Sequence, residues 1–358
     1  MKFVANKPPV VQNSQRTYKR SLNLHFAIIA VSIAAVIIKF ITTAQEGTTS
    51  VENGLKVLLM LVIGALFSVF IEVAYSYFEG TLEKFKVYGA YIEPISIGLL
   101  IALLLPTITP IYVLLLAVFV GVYAGKLVYG GYGFYIFNPA LVGVLFAKLS
   151  FADALKPSAD SPLVKLNDVM TNGGTMQLDD IWQLLIGNYE AIAIGSTSVI
   201  LLAIVFIYLL VTKVIDIRIS GTFLLTVVLI SGIVGIITGW GIPFIILNLV
   251  LGLTLFAATF LVSEPVSSPT SRETKMIYAV IVGVVMMMVR ILGTNIEGLF
   301  FSILLGNMLT PYLNRTVKRS TKETFIKTSI ALFVFVIFAG VVIGFILQNH
   351  LIDLGGVS

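Results

Sequence analysis

The chain has no cysteine and only two histidines, His25 and His350, near opposite ends. The first absence excludes disulfides and cysteine-held iron–sulfur clusters within this chain. The second leaves no pair for bis-histidine haem ligation and no histidine-rich metal site. Charge is also scarce: 11% of the 358 residues are Asp, Glu, Lys or Arg, against roughly 25% in soluble domains. No G-x-S-x-G elbow, Walker loop or GxGxxG fingerprint is present, and neither histidine has an evident nucleophile beside it. The residues therefore name no nucleophile-plus-base catalysis. A cleavable leader is also not expected, because a polar, basic stretch of about 20 residues precedes Leu22. It reads as a cytoplasmic tail over 1–21.

What is abundant is apolar surface. Hydrophobic residues make up 58% of the chain and the mean hydropathy is +1.02. A helix needs about 20 mainly apolar residues to cross a bilayer. Eleven apolar segments are read near 22–43, 54–78, 95–108, 110–129, 139–152, 198–213, 219–238, 242–263, 276–291, 297–313 and 325–347. They are too long, and alternate too little, for barrel strands. The reading is an all-α polytopic membrane protein of about 10–11 transmembrane helices, several short or broken. The fifth segment follows "GGYGFYIFNP", whose glycines and proline predict non-helical backbone at membrane depth. Glu93-Pro94-Ile95-Ser96 is echoed by Glu264-Pro265-Val266-Ser267, so two repeated halves of about five helices are plausible from the pattern.

Basic residues orient the chain. With the N-terminus inside and segments alternating, 17 of the 23 lysines and arginines fall inside, Lys126 among them. The net charge of +5 is thus an orientation signal, and no nucleic-acid partner is inferred. The acidic 153–190 loop falls outside. It leads into Gly195-Ser196-Thr197-Ser198, where the sixth apolar segment begins. That cluster is read either as an N-cap by Ser196 or Thr197, or as a phosphate site of backbone N–H groups at a helix start.

Three further positions invite a structural and a functional reading. Asn138 is a helix cap or an amide presented to a ligand. Glu264, with Ser267 in "VSEPVSSPTSRE", is a solvated boundary carboxylate or a buried functional one. Glu72 lies inside the second apolar segment, where a lone carboxylate is costly. It is either a paired structural group or part of an ion path. No basic residue stands within ten positions of it, so a partner has to come from another helix.

Taken in order, "KLVYGGYGFYIFNPALVG" (126–143), "SEPVSSPTSR" (263–272) and "EGLFFSILLGNMLTPYLNR" (297–315) resemble one family. It is the RnfD/NqrB family, the D subunit of the Rnf electron-transport complex and its relative in the Na⁺-translocating NADH:quinone reductase. The resemblance covers roughly residues 15–315. It implies a membrane domain over 22–315 and an extra C-terminal segment, 316–358, with one more helix that could dock a partner. It also implies a subunit of a Na⁺- or H⁺-translocating complex, carrying electrons through FMN bound covalently to a threonine by a phosphoester. The matching position is Thr197, with Gly195, Ser196 and Ser198 around the phosphate. Other membrane subunits, a flavin transferase for maturation and the lipid bilayer are the implied partners. A second, non-covalent flavin (riboflavin) is implied too, with Asn138, Glu264 and Ser267 as lining residues. The competing reading is a secondary transporter or permease without a redox cofactor, which the broken helices alone would equally suit.

Overall fold

The computed structural model describes residues 14–41, 50–82, 91–155, 193–196, 198–250, 253–293, 298–317 and 322–353. The described residues are mostly helical, contain no strand, and form a multi-pass membrane protein. In order the helices are α1 (Ser14–Ile41), α2 (Ser50–Phe78), α3 (Ile92–Leu104), α4 (Ile111–Phe119), α5 (Pro139–Ser150), α6 (Val199–Val211), α7 (Ile217–Ile237), α8 (Gly241–Val250), α9 (Thr254–Leu261), α10 (Arg272–Leu292), α11 (Leu299–Thr316) and α12 (Lys322–Asp353). Every one of the eleven apolar segments is helical, the eighth as the pair α8 and α9.

Fewer of them cross alone. Among the described residues six helices are long and apolar enough to span a membrane, or seven if the pair α8–α9, bent by 53°, counts as one. Helices α3, α5 and α6 have 13, 12 and 13 residues. At 1.5 Å per residue each is only about 20 Å long, short of a hydrocarbon core of about 30 Å. The expected 10–11 helices are therefore present as helices, but several are partial spans. Hydropathy alone does not separate the two, because a short buried helix is as apolar as a spanning one.

Helix α3 shows why. Every residue from Ser96 to Leu105 is buried, and a helix apolar all round belongs inside a bundle. It is held by close backbone contact with α2: a Cβ on Gly98 would stand 2.2 Å from the Gly64 carbonyl oxygen. Helices in lipid associate through such packing of small residues. The same device joins α4 to α5, where a Cβ on Gly143 would stand 2.2 Å from the Ala117 carbonyl oxygen. Further clamps fix the start of α3. Ser68 Oγ of α2 donates to the Pro94 carbonyl at 2.6 Å, and His25 Nδ1 of α1 hydrogen-bonds Ser96 Oγ. Helix α12 packs against α7 and α10 and exposes Phe333, Phe335, Phe338 and Phe345 on another side.

Candidate functional site

Two regions at the two ends of α3 carry the candidate residues. The first is charged. Helix α4 widens at its end into a π turn, Val120–Ala124, a distortion common at functional sites. Gly125 and Lys126 follow. Gly121 lets α5 approach there, since its Cβ would stand 2.7 Å from the Pro139 carbonyl oxygen. The chain then leaves helical geometry, with Gly130, Gly131 and Gly133 at φ of +103°, +88° and +89°. This is the non-helical stretch expected before α5.

The turn swings Lys126 into the protein, where its side chain is 0% exposed. Its Nζ donates to Glu72 Oε1 of α2 at 2.5 Å and to Glu93 Oε2 at the start of α3 at 2.7 Å. The remaining carboxylate oxygens, Glu72 Oε2 and Glu93 Oε1, are buried without a hydrogen-bond partner among the described residues. Beside this triad the Gly-rich loop reaches the end of α9. Tyr135 Oη donates to Glu264 Oε1 at 2.9 Å. Glu264 Oε2 accepts from Ser267 N at 2.8 Å and from Ser267 Oγ at 2.5 Å. Glu93 and Glu264 interact electrostatically with each other and with Tyr132 and Tyr135.

The same end is tied together at its rim. Asp216, the N-cap of α7, accepts from Lys275 Nζ of α10 at 2.7 Å, and its backbone N–H donates to Ser263 Oγ at 3.1 Å. Partial burial pushes the Asp216 carboxyl up. The hydrogen bonds from Lys275 and the Arg218 N–H outweigh it and hold the group below the usual carboxylate range.

The second region lies at the far end of α3, about 15 Å along the axis from Glu93 to Leu103. Here Ile194 N donates to the Leu105 carbonyl at 3.0 Å, and Ala193 forms an antiparallel bridge with Pro106. Gly195 is wedged in: a Cβ would stand 2.6 Å from the Phe256 ring and 3.1 Å from the Leu103 carbonyl oxygen. The cap expected at Ser196 or Thr197 falls instead to Ser198, whose Oγ accepts from Leu201 N at 3.3 Å. Ser198 has the extended backbone, φ −146°, that a cap needs. Ser196 belongs to a preceding 3-10 turn, Ile194–Ser196, and donates its hydroxyl to the Ala193 carbonyl at 2.8 Å. Thr197 itself lies outside the described residues. Thr107 Oγ1, next to the bridge, is buried and has no hydrogen-bond partner among the described residues.

Glu72 and Glu264 thus come to one end of the bundle, and Gly195, Ser196 and Ser198 to the other. Asn138 joins the charged end and caps α5: its Oδ1 accepts from Ala140 N at 3.0 Å, with Pro139 in the first turn. Sequence reasoning does not single out Lys126, Glu93 or Tyr135 as site residues. It counts Lys126 with the cytoplasmic basic residues, although the side chain is buried. The echo of Glu93-Pro94 in Glu264-Pro265 is the one pattern that points at Glu93.

Comparison with known proteins bears on most of the chain. Residues 4–323 match the family described as NQR2, RnfD, RnfE family. Three relatives are each named as the D subunit of an ion-translocating oxidoreductase complex. That of Methanosarcina acetivorans is 28% identical over 141 residues, 39% of this chain and 43% of that protein. That of Mannheimia succiniciproducens is 34% identical over 101 residues, 27% of each chain. That of Actinobacillus succinogenes is 41% identical over 64 residues, 17% of this chain and 18% of that protein. The matched stretches therefore span less than half of each relative. The family match ends at residue 323, just inside α12.

Proposed function

Because the chain belongs to the NQR2, RnfD, RnfE family, we propose that it is a membrane subunit of an ion-translocating electron-transport complex that carries FMN on Thr197. The family match over residues 4–323 carries this reading. The three relatives named for such a complex support the ion-translocating part of it. The flavin part comes from the resemblance of "IGSTS" to the family's attachment motif.

The described residues around Thr197 suit a covalently held phosphate. Both neighbours are small serines, and the preceding turn is pinned to the end of α3. Helix α6 starts at once, and the first N–H groups of a helix lack intrahelical acceptors and favour an anion. Gly195 leaves no room between Phe256 and Leu103, so the backbone rather than a side chain shapes this wall. Phe256 is fully buried and keeps water from the inner side. The buried Thr107 hydroxyl offers an unused hydrogen bond next to the bridge. A bound flavin supplies the electron-transfer chemistry that none of these side chains performs. A second, non-covalent flavin such as riboflavin would meet Asn138, Glu264 and Ser267 at the other end of α3.

Orientation follows from the basic residues. Removing the buried Lys126 from the tally leaves the bias intact. The charged end then faces the cytoplasm and the hydroxyl end the outer side. Other membrane subunits and lipid cover the exposed apolar faces, and a flavin transferase matures the protein.

The test is direct. Co-expressed with a flavin transferase, the wild-type chain should fluoresce in a denaturing gel under ultraviolet light. Thr197→Ala should reach the membrane and stay dark. Fluorescence retained in that variant overturns the assignment. A dark wild-type band, with the transferase active on another substrate in the same cells, favours a permease without a redox cofactor.

A further inference from the structure

We infer that Glu72, Glu93 and Lys126 form a one-cation exchange site, in which the tethered Lys126 ammonium balances one carboxylate and a small monovalent cation, a proton or an alkali-metal ion, balances the other. The inference deepens the ion-translocating reading above and rests on it. Its first support is the charge count. Among the described residues two carboxylates, with side chains 12% and 22% exposed, share one ammonium that is 0% exposed. The charged groups that act on Glu93 among the described residues are Lys126, Glu72 and Glu264, so the one further neighbour adds negative charge. A low-dielectric interior does not hold an uncompensated charge.

The second support is the pair of orphan atoms. Among the described residues Glu72 Oε2 and Glu93 Oε1 are buried acceptors with no donor, an arrangement that native interiors avoid unless something fills it. Glu72 is only 9% exposed as a residue. The two oxygens that do have a partner share one nitrogen, at 2.5 and 2.7 Å, so the carboxylates face a common space.

The third support is rigidity. Ser68 holds the Pro94 carbonyl, and Gly64 and Gly98 hold α3 against α2, so the backbone that carries Glu93 is fixed against the helix that carries Glu72. Glu93 acts electrostatically on Tyr132 and Tyr135 of the Gly-rich loop, and His25 of α1 hydrogen-bonds Ser96, one turn along. Of all these, Lys126 is the group able to yield. An ammonium on a four-carbon stem is a compact point charge that can shift between two acceptors. An arriving cation that takes the orphan oxygens competes with it, and leaves when the ammonium returns.

The full chain, purified in detergent, tests this with two readouts. One is the thermal unfolding midpoint as sodium chloride replaces choline chloride at constant ionic strength, since a bound ion stabilises by mass action. The other is the infrared band of a protonated carboxyl group. Wild type should show one of the two, sodium stabilisation for an alkali-ion site or the carboxyl band for a proton site. Glu93→Gln, which leaves one carboxylate for one ammonium, should lose that signal and keep its fold. Lys126→Met should gain a cation, seen as sodium affinity tighter by about tenfold or more or as an added carboxyl band. Should Lys126→Met fail to accumulate, the double variant with Glu72→Gln leaves one carboxylate and should again show the wild-type signal. A wild type with neither signal, or a Glu93→Gln variant that keeps it, overturns the inference. Gel fluorescence of the same preparations reads the flavin assignment separately.

Discussion

At the start of α3, Glu93 meets a fully buried lysine and, through it, a second carboxylate; at its end, Leu103 and Leu105 offer only backbone carbonyls to a stretch of small residues. Both regions are buried in an apolar bundle, so the contrast lies in the side chains rather than in depth. The charged end spends ion pairing on groups that a bilayer protein seldom keeps inside without a use. Gly195, Ser196 and Ser198 at the hydroxyl end bring no charge of their own. That end suits a place where charge arrives with a covalently attached phosphate. Helix α3, enclosed on every side, connects the two over about 15 Å. On the proposed reading, electrons reside at one end and cations exchange at the other, and α3 is the rigid element that any coupling between them must cross.

The largest effect that sharpens this contrast is expected from Lys126→Met. In choline buffer it leaves two buried carboxylates without their partner, a change that typically costs about 3–5 kcal/mol. Chemical unfolding in detergent should show that loss, while Thr197→Ala unfolds like wild type. Equal losses in the two would erase the distinction between the ends. Next comes Gly195→Val at the hydroxyl end. Its Cβ would collide with Phe256, and such overpacking costs about 1–3 kcal/mol. Flavin yield should fall with it, and Phe256→Ala in the same chain should recover part of both. Ser198→Ala removes the α6 cap and should cost about 1 kcal/mol, measured in the same way.

The smallest effect concerns the rim of the charged end. The folded-state pKa of Asp216 is lowered. Its contribution is therefore fully present above the unfolded value of about 3.9. It is lost as the pH falls through the lower folded value. With side-chain exposures of 29% for Asp216 and 20% for Lys275, the pair is worth at most about 1 kcal/mol. Asp216→Asn should flatten the acid side of the stability profile and leave neutral pH nearly unchanged. A variant profile as steep as wild type below pH 4 would remove Asp216 from the account.

Much of the architecture was legible because hydropathy is a local property. All eleven apolar segments are helices, and the Gly-rich break before Pro139 sits where the glycines predicted. Span length was less legible, since α3 and α5 read as apolar for being buried in protein rather than for crossing lipid. The site was legible where one residue fixes its own surroundings, as with the Asn138 cap. It was not legible where the partner is distant in sequence. Glu72 needed a cation from another helix, and Lys126, 54 positions on, looked like an ordinary orienting lysine. The π turn that carries it inward has no sequence mark apart from Gly121 and the Gly125 that follows it. The Tyr135–Glu264 bond joins positions 129 apart, a separation that no local pattern records. The α6 cap falls to Ser198 rather than to Ser196 or Thr197, because a 3-10 turn, and not the helix, takes up the first serine.

The most direct test of the central claim, that the two ends of α3 serve opposite faces of the membrane, uses the chain's lack of cysteine. Single cysteines are placed at Ser158, which follows the far end of α5, and at Thr270, which precedes α10 at the charged end. Intact cells are then treated with a membrane-impermeant thiol reagent. The account predicts labelling at Ser158→Cys and none at Thr270→Cys until the membrane is opened. Labelling of both positions in intact cells would contradict it.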